Sequence, residues 1–205
     1  MNIRTFAGIF SGANSYLADD GAKAAFIVDA GEYSAPLAAA VRNEGLRVAL
    51  LILTHGHGDH IGGVERYLRE FEGCKLVAGE DEGPVLADPD KNYSTVIAGR
   101  PISLNADVCV KDGDELEVGT LTLKILSTPG HSPGGICILA GDALFSGDTL
   151  FAGSIGRTDL FGGSMETLLA SIEHKLFTLP DETRVYPGHM GASTIGDEKR
   201  HNPFF

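Results

Sequence analysis

An α/β chain folded as a four-layer αββα sandwich is what this sequence predicts, on three observations. Short apolar runs of strand length alternate with a few amphipathic helical stretches. Both halves of the 205 residues supply strands together with helices, and no stretch rich in Pro, Gly or Ser divides them. Two sheets packed face to face, with helices outside both, satisfy that pattern within one domain spanning residues 1–205. No strong internal repeat accompanies it, so the duplication rests on element pattern alone.

Ala24–Val28 reads as a strand that ends in the turn Asp29-Ala30-Gly31. A helix follows over Ser34–Asn43, with Ser34 as its cap and Gly45 as its stop. Val48–Leu53 is an apolar strand, and Gly63–Phe71 is a helix with Val64, Leu68 and Phe71 on one face. Lys75–Ala78 is a strand, after which the acidic patch Glu80-Asp81-Glu82 opens another short helix. Residues 88–106 carry Pro89, Asn92, Gly99 and Pro101 and little periodicity; a mobile connection beside a substrate cleft and a solvated loop fit them equally. In the second half Glu115–Val118 and Leu121–Ser127 form a hairpin at Gly119-Thr120, and Ile136–Leu139 and Ala143–Phe145 form another. Ser164 caps a helix over Met165–Phe177 that Pro180 terminates, and Arg184–Tyr186 is the last strand.

A formal net charge of −12 with no basic run speaks against nucleic-acid binding, which needs clustered Lys and Arg. Three cysteines, Cys74, Cys109 and Cys137, are odd in number and widely spaced, so no disulfide framework is expected. Cys109 and Cys137 sit in apolar surroundings and read as buried, whereas Cys74 lies at a turn and reads as more exposed. The N-terminal residues lack the apolar core of a signal peptide, and no span approaches the roughly 20 apolar residues of a membrane helix. A cytoplasmic protein without membrane or nucleic-acid partners is the expectation; nothing in the sequence addresses its oligomeric state.

The chemistry concentrates in Thr54-His55-Gly56-His57-Gly58-Asp59-His60, directly behind the apolar run Val48–Leu53. Imidazole and carboxylate suit zinc and iron, and the two intervening glycines let the backbone fold tightly enough to turn ligands inward. Three further sites repeat the arrangement. Leu123–Ser127 runs into Thr128-Pro129-Gly130-His131, Ala143–Phe145 into Ser146-Gly147-Asp148, and Arg184–Tyr186 into Pro187-Gly188-His189. Each puts a candidate ligand past the end of an apolar strand, and a sheet ending its strands side by side gathers them at one rim. Of the seven histidines, His174 and His201 lack that context and read as bystanders.

The order His-x-His-x-Asp-His, then His, Asp and His, resembles the metallo-β-lactamase superfamily. With Asp59 and His60 both present it is similar to the small glyoxalase-II-like, hydroxyacylglutathione hydrolase-like branch. The resemblance covers essentially the whole chain and implies an αββα fold with two metal ions about 3.5 Å apart. It implies that His55, His57 and His131 hold one ion, that Asp59, His60 and His189 hold the other, and that Asp148 bridges them with a water. Zinc is favoured, with iron or manganese accepted by the same donors. Two divalent ions against Asp59, Asp148 and one hydroxide leave a slightly cationic site, as an oxyanion requires.

The resemblance further implies hydrolysis of an acyl-thiol, S-lactoylglutathione or another acylglutathione, by a metal-bridging hydroxide, with Asp59 and Asp148 as the catalytic carboxylates. A thiolate of solution pKa about 8.5 leaves without strong acid assistance. Larger glyoxalase II enzymes carry a Lys and a Tyr after the bridging Asp and a helical C-terminal glutathione-binding domain. Here the corresponding run is Gly153-Ser154-Ile155-Gly156-Arg157-Thr158-Asp159, and that helical domain is not expected. Arg157 either holds a substrate carboxylate or pairs with Asp159. The run Glu198–Phe204 resembles the tail of the small members and is expected to pack on the metal-site loops. Persulfide dioxygenases look similar, including the Gly-Arg-Thr-Asp loop, and would place a single iron on His55, His131 and Asp148. The completeness of both donor sets and the run Ser132-Pro133-Gly134-Gly135 favour the hydrolase. A non-catalytic metal-binding protein would have no reason to keep a full open site.

Overall fold

The computed structural model describes residues 1–205. Its first sheet takes strands in chain order: β1 (Asn2–Ala7), β2 (Asn14–Asp19), β3 (Ala24–Val28), β4 (Arg47–Ile52), β5 (Lys75–Gly79) and β6 (Val108–Val110). The pairs β1–β2 and β2–β3 are antiparallel, and β3 through β6 are parallel. Parallel neighbours need crossovers. These are supplied by α1 (Ala35–Glu44), the single turn α2 (Gly58–Ile61), α3 (Val64–Glu70), and the short helices α4 (Gly83–Leu86) and α5 (Ser94–Ile97). Helix α1 starts where Ser34 Oγ accepts from the Leu37 N–H and stops at Gly45, whose φ of 61° is the left-handed cap.

The second sheet has the spatial order β14-β13-β10-β9-β8-β7, built from β7 (Glu115–Val118), β8 (Leu121–Ser127), β9 (Ile136–Ala140), β10 (Ala143–Gly147), β13 (Arg184–Pro187) and β14 (Ser193–Thr194). A two-strand ribbon, β11 (Leu150–Phe151) with β12 (Ser154–Ile155), precedes α6 (Met165–Ser171), and α7 (Ile195–His201) follows β14. Strands β10 and β13 are parallel, so both deliver their C-terminal ends to one rim.

Apolar burial divides into three layers. Between the sheets lie Tyr16, Phe26, Val28, Ile52 and Val77 from the first, with Leu123, Ile125, Ile138 and Phe145 from the second. Outside the first sheet, Leu37, Val41, Val64 and Tyr67 of α1 and α3 cover Leu17, Ile27, Leu51 and Leu76. Outside the second, Leu168, Ile172 and Leu176 cover Cys137, Leu144 and Val185. The architecture is the expected αββα sandwich.

The sheets are also joined at the rim. The Ile136 N–H donates to Thr54 O (2.8 Å), the Asn14 N–H to Gly188 O (2.7 Å) and the Tyr16 hydroxyl to Pro187 O (2.6 Å). All three ties meet residues beside the candidate donors.

Several details depart from the sequence reading. Strands β1, β2 and β6 had not been expected; β1 is half exposed and β2 has polar residues at both ends. The helix expected over Met165–Phe177 is α-helical only to Ser171 and continues as a π turn over Ile172–Leu176, where the Phe177 N–H donates to Ile172 O. The cysteine expectations are reversed at two positions. Cys109 is exposed because it points outward from edge strand β6, while Cys74 is buried beneath Phe71 and burial pushes its thiol up to about 12. Cys137 is buried as expected. No helix is long and apolar enough to cross a membrane.

Phe145 stacks with Tyr186 and meets Tyr16 and Phe26 edge-on at ring-centroid distances of 5.3–5.8 Å, with none of its surface exposed. Phe145→Ala is expected to cost about 3–5 kcal/mol in denaturant unfolding of the metal-free protein. A loss below 1 kcal/mol would show that the inter-sheet layer does not carry the stability assigned to it.

Candidate metal centre

Each candidate donor follows a strand end. Beyond β4, the chain runs through Thr54 into His55, Gly56 and His57, and α2 then carries Asp59 and His60. Gly58 passes so close to the start of α5 that a Cβ would lie 2.7 Å from Ser94 Cα. Beyond β8 comes His131, beyond β10 Asp148 and beyond β13 His189. Gly147, at φ +50°, lets Asp148 turn in beside Thr54; a Cβ there would lie 2.3 Å from Thr54 Oγ1.

Hydrogen bonds outside the cluster decide which imidazole nitrogen faces inward. His131 Nδ1–H donates to Arg157 O (2.7 Å), and His189 Nδ1–H donates to Gly12 O (3.0 Å). His60 Nδ1–H donates to Asp29 Oδ2 (2.9 Å). Thr54 Oγ1 donates its own proton to Asp29 Oδ2 (2.8 Å), so it accepts from His55 Nδ1–H (3.1 Å). With the Nδ1 protons held outward, the Nε2 atoms of His55, His60, His131 and His189 point inward. They face one another across 3.2 Å between His55 and His131, and 3.4 Å between His60 and His189. Between His55 and His131, both held neutral by burial, facing lone pairs repel, and a cation between them turns that repulsion into attraction.

His57 presents the other nitrogen, with Nδ1 at 2.9 Å from His131 Nε2 and a buried Nε2 that has no hydrogen-bond partner. Asp148 stands among the donors. Its Oδ1 lies 3.3 Å from His60 Nε2 without hydrogen-bond geometry, and its Oδ2 lies 3.6 Å from both His131 Nε2 and His189 Nε2. Asp59 Oδ2 is 3.3 Å from His189 Nε2. Three groups have donor atoms within 4.8 Å of one another: His55–His57–His131, Asp59–His60–His189 and His55–His60–Asp148. Mixed nitrogen and oxygen donors that converge around a buried, unpartnered Asp148 Oδ1 fit first-row divalent ions.

The electrostatics agree with that fit. Burial, reinforced by the neighbouring imidazoles, holds His55 far below the ordinary range, and burial first, then His131, pushes His57 down to about 3. Burial likewise lowers His131. Burial opposes a proton on His60 too, but Asp148, Asp29 and Asp59 outweigh it and raise the group. Burial would raise Asp148 and Asp59; the adjacent histidines, His60 foremost, overcome it and hold both carboxyls below the usual range. The three-histidine group is therefore neutral and lone-pair bearing at neutral pH, as metal ligation requires.

All seven candidate donors from the sequence thus come together. The eighth candidate, Arg157, is near the cluster but engaged: its guanidinium makes two bonds to Asp159 (2.7 and 2.8 Å). What Arg157 gives the cluster is its carbonyl, which orients His131. His174 and His201 are exposed and belong to none of the groups. The C-terminal helix does pack on the loop after Asp148: Glu198 Oε2 accepts from the Gly153 N–H and Asn202 Nδ2 donates to Ser154 O.

Sequence reasoning missed two buried carboxylates. Asp29 accepts from the Thr54 N–H, the Thr54 hydroxyl and His60 Nδ1–H. It follows the end of β3, the same signature that exposes the other sites, but in the sequence Asp29-Ala30-Gly31 reads as a turn. Glu82 accepts from the Gly56 and Gly134 N–H groups and from Ser132, while Glu80 and Asp81 beside it are exposed. Residues 88–106 are internally bonded through buried Asn92 and Ser94 and border the site with Ile97 and Ala98.

Two clefts open onto the cluster. One, of about 280 Å³, is lined by Phe10, Glu32, Tyr33, Asp59, Ile97 and Ala98 among others. The other, of about 80 Å³, is lined by His57, Asp59, Ile97, His131, Asp148, Arg157 and Leu160. Asp59 and Ile97 wall both.

The family model described as Metallo-beta-lactamase superfamily matches residues 8–189. The chain belongs to that superfamily. It is similar to hydroxyacylglutathione hydrolase GloC of Haemophilus influenzae, with 33% identity over 208 residues covering 100% of this chain and 98% of that protein. It is similar to the crystal structure of BLEG-1, a B3 metallo-beta-lactamase, at TM-score 0.91 and 38% identity, covering 99% of each chain. It is also similar to the crystal structure of ETHE1 from Myxococcus xanthus, at TM-score 0.83 and 34% identity, covering 99% of this chain and 84% of that one.

If inward lone pairs need a cation, stripping divalent ions with a chelator should lower the melting temperature, and zinc should restore it. Saturation at about 1,000 times Kd is worth about 4 kcal/mol. Identical melting of the stripped and reloaded protein would count against a metal centre. Asp29→Asn places an amide NH2 against donors, and is expected to cost about 1–3 kcal/mol in unfolding of the metal-free protein.

Proposed function

We propose that this protein is a metal-dependent hydrolase that cleaves a thioester, S-lactoylglutathione or another acylglutathione, and that Asp148 carries the reading. That carboxylate stands between the three-histidine group and the Asp59–His60–His189 group, with one oxygen toward His60 and the other toward His131 and His189. Such an arrangement suits a pair of divalent ions, zinc in the first instance, with His55, His57 and His131 holding one, Asp59, His60 and His189 the other, and Asp148 shared. Two bound ions supply a Lewis acid for the acyl oxygen and a water acidified toward neutral pH.

The chain's own residues contribute orientation and access. Asp59, held ionised by His60 and His189, lines both clefts and is placed to accept a proton-bearing hydrogen bond from a nucleophilic water. Beyond the candidate donors, the smaller cleft carries no ionisable side chain except Arg157. A leaving group that needs protonation would find no acid there; a thiolate, with solution pKa about 8.5, needs none. The two clefts that share Asp59 would take the two arms of a thioester, acyl and thiol. Arg157, at the mouth of the smaller cleft, would turn from exposed Asp159 to a substrate carboxylate at little cost, since an exposed pair contributes little. The similarity to GloC supports the acylglutathione class.

A second reading keeps the fold and changes the reaction: a one-iron persulfide dioxygenase using His55, His131 and Asp148. His131 Nε2 is 3.2 Å from His55 Nε2 and 3.6 Å from Asp148 Oδ2, and the similarity to ETHE1 fits it. Metal analysis separates the two. The hydrolase reading expects close to two ions per chain, turnover of S-lactoylglutathione and no oxygen uptake with glutathione persulfide. One iron per chain with oxygen uptake would replace it. Asp59→Ala should remove one ion and lower kcat/KM for the thioester at least about a hundredfold, whereas a one-iron oxygenase would keep most of its activity.

A further inference from the structure

We propose that Glu82 is a positioning residue for the three-histidine group, fixing the separation of the loops that carry His55, His57 and His131. The role rests on the reading of those histidines as metal donors. Glu82 ends the helical turn Glu80–Glu82 beyond β5 and is fully buried. Its Oε1 accepts from the Gly56 N–H (2.7 Å), and its Oε2 accepts from the Gly134 N–H (2.8 Å) and from the Ser132 hydroxyl (3.0 Å). Gly56 lies between His55 and His57; Ser132 adjoins His131.

Those loops come from different sheets, one beyond β4 and the other beyond β8. One carboxylate thus spans the joint between the halves of the sandwich at the histidines. Glu82 is met by no Lys, Arg or His but by uncharged donors, although burying a carboxylate is costly. Its compensation comes from three donors, all on the two histidine loops, so loop position and carboxylate burial are coupled. Packing leaves no slack, since a Cβ on Gly134 would lie 2.1 Å from Glu82 N.

The Asp59–His60–His189 group is held by other means: Asp29 on His60 and the Gly12 carbonyl on His189. Glu82 touches neither. Asp29 also reaches His55 through Thr54, but Glu82 reaches only the loops of the three-histidine group, so a change at Glu82 should act on one donor group and spare the other. Glutamine has the size of glutamate, but its NH2 cannot accept, so the Gly56 or the Gly134 N–H loses its partner. The loop so released no longer holds its histidine in register.

Zinc affinity, read by competition with a chromophoric chelator, tests the role in two backgrounds. His189→Ala leaves the three-histidine group complete, and His57→Ala leaves the other. Glu82→Gln is expected to weaken zinc binding about 10–100-fold in the first background and less than about threefold in the second. Ser132→Ala, which removes one of the three donors, should give a smaller loss with the same selectivity, and carries the test if melting of the metal-free protein shows Glu82→Gln to be unfolded. Unchanged affinity in the His189→Ala background, or equal losses in both, would overturn the positioning role. Failure of the His189→Ala protein itself to bind zinc would overturn the donor assignment and this role with it.

Discussion

Everything at the rim of this sandwich depends on which way four imidazoles carry their protons. Arg157 O, Gly12 O, Asp29 and Thr54 Oγ1 each take an Nδ1–H from outside, and in doing so aim four Nε2 atoms into the cluster. Between the neutral His55 and His131 that convergence is repulsive without a cation, and the low dielectric of a buried cluster magnifies the repulsion. The fold must therefore hold the histidines against their own electrostatics. It does so with bonds between elements distant in sequence, the Ile136–Thr54 backbone bond and the Asn14 and Tyr16 contacts to the β13 loop. An apolar core between the sheets sits directly beneath.

The division of supports follows from topology. Parallel strands β3, β4 and β5 end together, so the residues just past them, Asp29, the histidine strip and Glu82, are neighbours although more than twenty residues apart in sequence. The second sheet contributes its donors from β8, β10 and β13, and the two sets meet only because the sheets face each other. Asp29 orders its own sheet's histidine directly. Glu82 instead reaches across to the opposite sheet's loop through backbone N–H groups.

Much of this was legible in the sequence, because a ligand-type residue just past an apolar run is a strong local signal. The strip Thr54–His60 and the Gly-preceded His131, Asp148 and His189 all show it. Asp29 shows it as well, after Ala24–Val28, but Asp before Ala-Gly is also ordinary turn chemistry, and nothing local separates the two. Glu82 was hidden for a different reason: within Glu80-Asp81-Glu82 only the path of the chain decides which carboxylate turns inward. Strands β1 and β2 escaped because polar and half-exposed positions blur their alternation, and β6 because three residues are too few to show one. Local polarity misleads at Cys74 and Cys109, where strand direction and an edge position govern burial.

The orientation of the imidazole protons is the central claim, and it is open to direct observation. A long-range proton–nitrogen correlation spectrum of the zinc-loaded, nitrogen-15-labelled protein reports the tautomer of each histidine. The account predicts Nδ1–H for His55, His60, His131 and His189, with Nε2 shifted as a ligated nitrogen, and the opposite tautomer for His57. An Nε2–H signal from His55 or His131 in the loaded protein would contradict it.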